Sequence, residues 1–237
     1  MKKDKGIFQF KQFSVSHKNS TMRVGTDAVV LGSWVDVTDQ SNILEVGTGC
    51  GIIALMIAQR NAKATIDAID IDDGSVEEAL SNFKNSVWSD RLTAKKCSFQ
   101  HFEPAKKYDH IVSNPPFFGS GTKSPISKRH NARHTNTLTF EELVKRSKEL
   151  LSAKGNLSII IPHEALTEMC KIIDEQHLAI QKQLNFKAKE ATKIERVLLT
   201  IGRDITTLEE NTMYQYNTDG TWSEEYKNLT KDYYLKL

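Results

Sequence analysis

Along the chain the spacing of apolar positions shifts between two and about three and a half, and each shift marks an element. Over residues 7–15 apolar and polar positions alternate (Phe8 and Phe10, then Phe13 and Val15), which predicts extended structure. Residues 26–34 carry a helical pattern, with Thr26 or Asp27 as its cap and Ala28, Val29, Leu31 and Trp34 facing inward. From residue 42 onward strand and helix patterns take turns. Strands are predicted over 42–46, 65–71, 92–97, 108–113 and 156–161, and helices over 52–60, 75–87, 140–151 and 163–177. The 75–87 helix turns Val76, Ala79, Leu80 and Phe83 to one side, Gly155 stops the 140–151 helix, and Pro162 bounds the next one on its N-terminal side. Two more strand-like runs follow, 178–186 and 196–202. The connection between them, about ten residues, suits an antiparallel hairpin better than a crossover.

Strands that alternate with helices imply an α/β fold. The expected architecture is a seven-stranded, mostly parallel sheet with an antiparallel last strand and helices on both faces. Residues 1–40 form a preamble, 41–203 hold the alternating unit, and 204–237 extend the same domain. A chain of 237 residues suits one such domain. The tail carries Tyr214, Tyr216, Trp222, Tyr226, Tyr233 and Tyr234. An edge strand and a short helix packed on the sheet is the favoured reading of these aromatics, and a substrate-facing surface is the other.

A net charge of +2 is too small to mark the whole surface for nucleic acid, so any basic contact surface must be local. Cys50, Cys97 and Cys170 are few and far apart, which fits a reducing compartment better than a disulfide framework. No C-x-x-C pair is present, and His130 and His134, four residues apart, lack a third ligand, so no metal is expected. The lysines at 2, 3 and 5 are followed by no apolar run of the roughly seven residues that a secretory signal needs. The longest apolar stretches, such as 52–58, fall well short of the roughly 20 residues of a membrane span. A cytoplasmic monomer with no membrane contact is the expectation.

The first chemical signal is Glu45-Val46-Gly47-Thr48-Gly49-Cys50-Gly51, placed between a strand and a helix. Glycines there allow a tight turn and let a ligand approach the backbone at the carboxyl ends of the strands. Asp70 ends the next strand about 20 residues on, where a carboxylate can accept hydrogen bonds from ribose hydroxyls. A dinucleotide and S-adenosylmethionine both suit this geometry. The dinucleotide pattern G-x-G-x-x-G is not met, because Ile52 holds its last glycine position.

The second signal is Asn114-Pro115-Pro116-Phe117-Phe118 at the end of the 108–113 strand. Two prolines fix φ and remove two N–H donors, which frees the carbonyls beside them. An Asn side-chain oxygen and a Pro carbonyl can together accept both hydrogens of an –NH₂ group and aim its lone pair at a methyl donor. Phe117 can stack on a planar substrate, and Phe118 is either a second platform or a core residue. Such a site works by positioning and by stabilising positive charge on nitrogen, without a strong base.

The G-x-G-x-G spacing with Glu45 before it, joined to Asn114-Pro115-Pro116-Phe117, resembles the Rossmann-like class I methyltransferases that methylate amino groups. Three further stretches narrow the likeness: Phe8 to Phe13 with Met22 to Ala28 and Leu31 to Trp34, then Ala132-Arg133-His134, then Arg196 to Leu199. Together they resemble the bacterial tRNA1(Val) (adenine(37)-N6)-methyltransferase family over roughly residues 7–203. The resemblance implies an enzyme that uses S-adenosylmethionine to methylate adenine N6 in tRNA. It implies Asn114, Pro115 and Phe117 as catalytic residues, with Glu45, Gly47, Gly49, Gly51 and Asp70 around the cofactor. Thr26 and Asp27 would close over it. Many related enzymes carry an Asp near the end of the third strand to meet the cofactor's adenine; Cys97-Ser98 stands there, and Ser98 can accept a hydrogen bond in its place.

Between His110 and Phe140 there is no Asp or Glu, while Lys123, Lys128, Arg129 and Arg133 are all present. A basic loop beside a catalytic pocket suits phosphate contacts, so these four are the expected RNA-binding residues. Alternatives of the same chemistry are guanine N2 in ribosomal RNA and a protein glutamine amide. An RNA-binding module without activity is the alternative of another class, against which the intact glycine loop, Asp70 and Asn114 argue.

Overall fold

The computed structural model describes residues 6–116 and 138–236. The alternating N-terminal stretch folds as a small hairpin of β1 (Ile7–Gln9) and β2 (Ser14–Ser16), with Phe8 opposite Val15. Phe10, Phe13 and Val15 are buried by it. Helix α1 (Thr26–Trp34) has the predicted bounds but not the predicted cap. Gly25, in extended conformation, is the N-cap and no side chain caps the helix; Thr26 and Asp27 already lie inside it. Asp27 instead turns its carboxylate to Arg196.

The main sheet has eight strands. In chain order they are β3 (Asn42–Val46), β4 (Thr65–Asp70), β5 (Leu92–Lys96), β6 (Tyr108–Ser113), β7 (Leu151–Pro162), β8 (Ala179–Lys189), β9 (Ile194–Gly202) and β10 (Glu209–Tyr216). In space they run β10-β8-β9-β7-β6-β3-β4-β5. β9 is antiparallel to both its neighbours, and the other pairings of this sheet are parallel. The seventh strand is therefore the antiparallel one, as expected, and the count is corrected from seven to eight by β10. This is the edge strand expected in the aromatic tail, begun earlier, at Glu209, with Met213 as its one buried residue. It is an edge strand held by backbone pairing to β8, from Glu209 opposite Lys182 to Tyr216 opposite Lys189.

Helices cover both faces. On one side lie α1, α2 (Ile52–Arg60), α3 (Asp73–Lys84) and α6 (Glu224–Thr230), sharing a core with Val29, Leu55, Phe83 and Tyr226. On the other lie α4 (Phe140–Leu150) and α5 (Leu166–Glu175), packed through Leu143, Val144, Met169 and Ile173. α3 starts on Asp72, whose carboxylate accepts from Ser75 N at 2.8 Å. Its inward stripe is Val76, Ala79 and Phe83; Leu80, expected with them, points outward and is 44% exposed. The neighbouring stripe, Ser75, Glu78 and Asn82, is also buried, because the preamble lies against it. Gly155 does not stop α4. The chain passes directly from Leu150 into β7, and Gly155 sits inside that strand where a Cβ would come within 2.8 Å of the Tyr108 carbonyl oxygen.

The aromatic tail packs. Tyr226 and Tyr233 are fully buried, Tyr233 donates its hydroxyl to the Met56 carbonyl (2.9 Å), and Lys11 N donates to the Tyr233 carbonyl (2.8 Å). Residues 11 and 233 thus meet beside α2.

His110, in the middle of β6, is buried and bonded to Ser158 Oγ (3.0 Å), which contacts Thr200 Oγ1 (2.9 Å). Burial pushes its pKa down to about 4. The unfolded chain takes up this proton below about pH 6.5, the folded one only below about 4. The contribution to stability is present above pH 6.5 and is lost as the pH falls from 6.5 towards 4, at most about 3 kcal/mol. His110→Gln keeps a donor for Ser158 and should flatten this part of the profile. Thermal midpoints at pH 7 and pH 4.5 check it: the drop should be smaller in the variant, and an equal drop would contradict the assignment.

Candidate active site

Three neighbouring parallel strands end in one row. Val46 of β3 lies opposite Ile69 of β4 and opposite Ser113 of β6. The next residues, Asp70, Gly47 and Asn114, therefore stand side by side at the carboxyl edge, about 4.8 Å apart per strand step. Ser113 Oγ donates to the Val46 carbonyl (2.9 Å) and pins this alignment. On the far side Cys97 N donates to the Asp70 carbonyl (2.9 Å), which brings Ser98 to the same edge.

The glycine loop folds back on β4, since Gly47 N and Thr48 N both donate to the Ile69 carbonyl. Gly47, Gly49 and Gly51 all have left-handed φ values, +73°, +54° and +79°, which other residues adopt at a cost of about 1–2 kcal/mol each. Their surroundings differ. A Cβ on Gly51 would meet the Phe83 ring at 2.5 Å, so this glycine lets α2 and α3 pack. A Cβ on Gly47 or Gly49 would meet nothing within 4 Å. Those two line an open cradle, and α2 begins beside it with Gly51 as its N-cap, so the positive end of the helix faces the loop.

Two carboxylates hold the cradle. Glu45 is 1% exposed and its Oε2 accepts from Thr48 Oγ1 (2.7 Å) and Ala54 N (3.1 Å). Burial pushes its pKa up to about 8. Asp70 accepts from Gly49 N (2.9 Å) and Asp72 N (3.0 Å). Burial raises its pKa, with these two N–H donors opposing the shift. Glu45 faces into the loop, whereas Asp70 stands at the edge. Cys50, beside them, is buried, with its thiol pushed up to about 12, and is inert.

Asn114 follows β6, and its Oδ1 is a buried oxygen with no hydrogen-bond partner among the described residues. Pro115 is buried and Pro116 exposed. Ser98 Oγ is bonded to His101 Nδ1 at 2.8 Å. Phe117, Phe118, Lys123, Lys128, Arg129 and Arg133 lie outside the described residues. Among the described residues no group of three His, Cys, Asp or Glu side chains could hold a metal ion, and no helix is long and apolar enough to cross a membrane.

Sequence reasoning missed how the preamble is tied down. Glu78 is buried and accepts four hydrogen bonds, from Ser16 Oγ (2.8 Å), Lys18 N (2.7 Å), Asn19 N (3.1 Å) and Ser20 N (2.7 Å). Burial opposes its ionisation, but these bonds outweigh burial and hold its pKa below the usual value. One turn on, Asn82 donates to the Ser16 carbonyl and the Cys50 carbonyl, both at 2.8 Å, and accepts from Ser16 N (2.9 Å). Further along, Asp27 pairs with Arg196 Nε of β9 at 2.8 Å. The preamble is thus fastened to α3 at residue 20 and to β9 at residue 27. Asn82, which holds both the Ser16 and the Cys50 carbonyls, links the preamble to the glycine loop. No sequence signal distinguishes Glu78 from an ordinary surface glutamate of a helix.

A glycine cradle beside a strand-end carboxylate, on a sheet with one antiparallel strand, defines a class I S-adenosylmethionine-dependent methyltransferase. The open space at Gly47 and Gly49 fits that cofactor. The model of the methyltransferase small domain matches residues 19–189. A protein of Bacteroides thetaiotaomicron named tRNA1(Val) (adenine(37)-N6)-methyltransferase is 38% identical over 98% of both chains. One of the same name from Flavobacterium psychrophilum is 38% identical over 98% of this chain and all of its own. Among solved structures, an O-methyltransferase predicted in Agrobacterium tumefaciens shares the fold, with a TM-score of 0.71 at 17% identity over 87% of this chain and 96% of that one. The chain belongs to the methyltransferase small domain family and, within it, to the tRNA1(Val) (adenine(37)-N6)-methyltransferases.

Glu78→Gln turns an NH₂ group towards backbone donors and should loosen the preamble by about 1–3 kcal/mol. S-adenosylmethionine affinity, measured by calorimetry, should fall about tenfold, with kcat at saturating cofactor nearly kept. An unchanged dissociation constant would show that the preamble does not contribute to the cofactor site.

Proposed function

We propose that the chain transfers a methyl group from S-adenosylmethionine to the exocyclic N6 of adenine 37 in tRNA(Val). The observation that carries this reading is Asn114 Oδ1, a buried acceptor without a described partner in the strand-end position next to Gly47. An unpaired buried acceptor costs about 1–3 kcal/mol, and a bound amino group removes that cost. The names of the two relatives above supply the substrate.

The bound cofactor supplies an electrophilic methyl group. Everything else is positioning by the chain. Asn114 Oδ1 and the Pro115 carbonyl, which Pro116 leaves without a competing N–H, accept the two N6 hydrogens and turn the nitrogen lone pair towards the donor. As positive charge grows on nitrogen, the same two oxygens stabilise it. Neither is a base, so the surplus proton leaves to water. Phe117 stacks on the purine, which reaches the site because nucleotide 37 lies in a single-stranded loop. Gly47, Gly49, Gly51 and Asp70 hold the cofactor, Glu45 keeps the loop in shape, Thr26 and Asp27 close over it, and Ser98 meets its adenine edge. Lys123, Lys128, Arg129 and Arg133 take RNA phosphates. The enzyme works as a metal-free monomer in the cytoplasm, where its tRNA is.

The test is transfer of labelled methyl to tRNA(Val), to the same tRNA with guanine at position 37, to ribosomal RNA and to a release factor. Label should enter only the first, as N6-methyladenosine. Label in the guanine-37 tRNA or in protein alone would refute the reading. Asn114→Ala should lower kcat by more than about tenfold, with little change in the cofactor's dissociation constant, because its interaction develops towards the transition state. Unchanged turnover would remove Asn114 from the mechanism.

A further inference from the structure

Ser113, the last residue of β6, is level with Ile159 of β7, Leu199 of β9, Gln183 of β8 and Glu210 of β10. Beyond that level β7 stops at Pro162, but β8 runs on through six residues, Leu184 to Lys189, and β10 through six, Asn211 to Tyr216. At about 3.3 Å per residue the three outer strands form a wall standing roughly 20 Å above the end of β6. The wall lies on the opposite side of Asn114 from Asp70, and so borders the substrate side of the site. About half-way up, level with Phe186, it is tied to α1 through Arg196 and Asp27.

Its charge is distinctive. Residues 187–196 hold four basic side chains (Lys187, Lys189, Lys193, Arg196) against Glu190 and Glu195, a surplus of two that equals the surplus of the whole chain. Lys189 is exposed, with Asp219 the acidic group in its field. The Lys193 side chain is 81% exposed and meets Glu164 only at 3.7 Å, a contact worth little in water. Lys187 donates to the Glu190 carbonyl and stiffens the tip. Part-buried Tyr216 and Trp222, in edge contact at 6.2 Å, stand at the top of β10 beside these lysines. Lysines beside aromatic rings at the border of a catalytic edge suit an RNA backbone.

We propose that the β8–β9 hairpin is an RNA-docking surface on which Lys189 and Lys193 take phosphates of the tRNA whose base is at Asn114. This inference rests on the tRNA reading above. The test compares the full-length protein with Lys189→Gln/Lys193→Gln and with Lys63→Gln/Lys154→Gln, a pair at the opposite end of the strands. Binding of tRNA(Val) is measured from 50 to 200 mM KCl, with calorimetry of S-adenosylmethionine as a check of the fold. The hairpin variant should bind tRNA about tenfold more weakly, with a salt slope smaller by about two, and keep its cofactor affinity. The opposite-end variant should match the wild type. If the wild type methylates tRNA and the hairpin variant binds it with unchanged affinity and slope, the hairpin assignment alone falls. If the wild type neither binds nor methylates tRNA, the tRNA reading falls and the hairpin proposal falls with it.

Discussion

The hydroxyl of Ser113 reaches across from β6 to the carbonyl of Val46 at the end of β3, and the site depends on the register it marks. With β4 in step on the other side, three strands finish level, and the residues that follow them are the strand-end carboxylate, the first cradle glycine and the asparagine. A slip of one residue in either pairing would move Asn114 or Asp70 to the other face of the sheet. Parallel strands buried on both faces resist such a slip, because every residue of β3 from Ile43 to Val46 is already packed. The placement of the groups that would handle donor and acceptor is thus secured by the core and not by the loops that carry them.

A second set of contacts ties the preamble to the glycine loop. Glu78 and Asn82 draw residues 16–20 onto α3, and Asn82 also holds the Cys50 carbonyl, so one helix links the glycine loop to the preamble. The tail then braces the preamble from behind through Tyr233, Lys11 and the rings of Phe8, Phe10 and Tyr234. Loss of any one bond would be tolerated, but a buried carboxylate with four donors holds its partners closely. In the proposed reaction this matters because a cofactor whose methyl donor drifts by about 1 Å loses much of its rate.

Local chemistry was readable in the sequence and tertiary chemistry was not. The glycine loop, Asp70 and Asn114 stand at fixed offsets from strand ends, and strands with sharp apolar runs such as Asn42–Val46 and Tyr108–Ser113 carry their own boundaries. The edge strand of the aromatic tail is legible, but its start at Glu209 is not, because a strand paired through its backbone needs almost no buried side chains. The outward turn of Leu80 is not legible, because the sequence does not say that the preamble, and not solvent, covers the neighbouring stripe of α3. Glu78 was overlooked for the same reason: its four partners are some sixty residues away in the chain. The cap of α1 is not legible either, because the helix starts one residue earlier, on Gly25, and Asp27 bonds to Arg196, far away in the chain.

In the proposed reaction Asn114 Oδ1 receives the amino group that is methylated. A crystal structure with S-adenosylhomocysteine and the anticodon stem-loop of tRNA(Val) would show this contact or its absence. N6 of adenine 37 is expected within about 2.7–3.2 Å of both Asn114 Oδ1 and the Pro115 carbonyl oxygen. An adenine seated with N6 bonded elsewhere, or with Asn114 turned away from it, would remove Asn114 from the reaction.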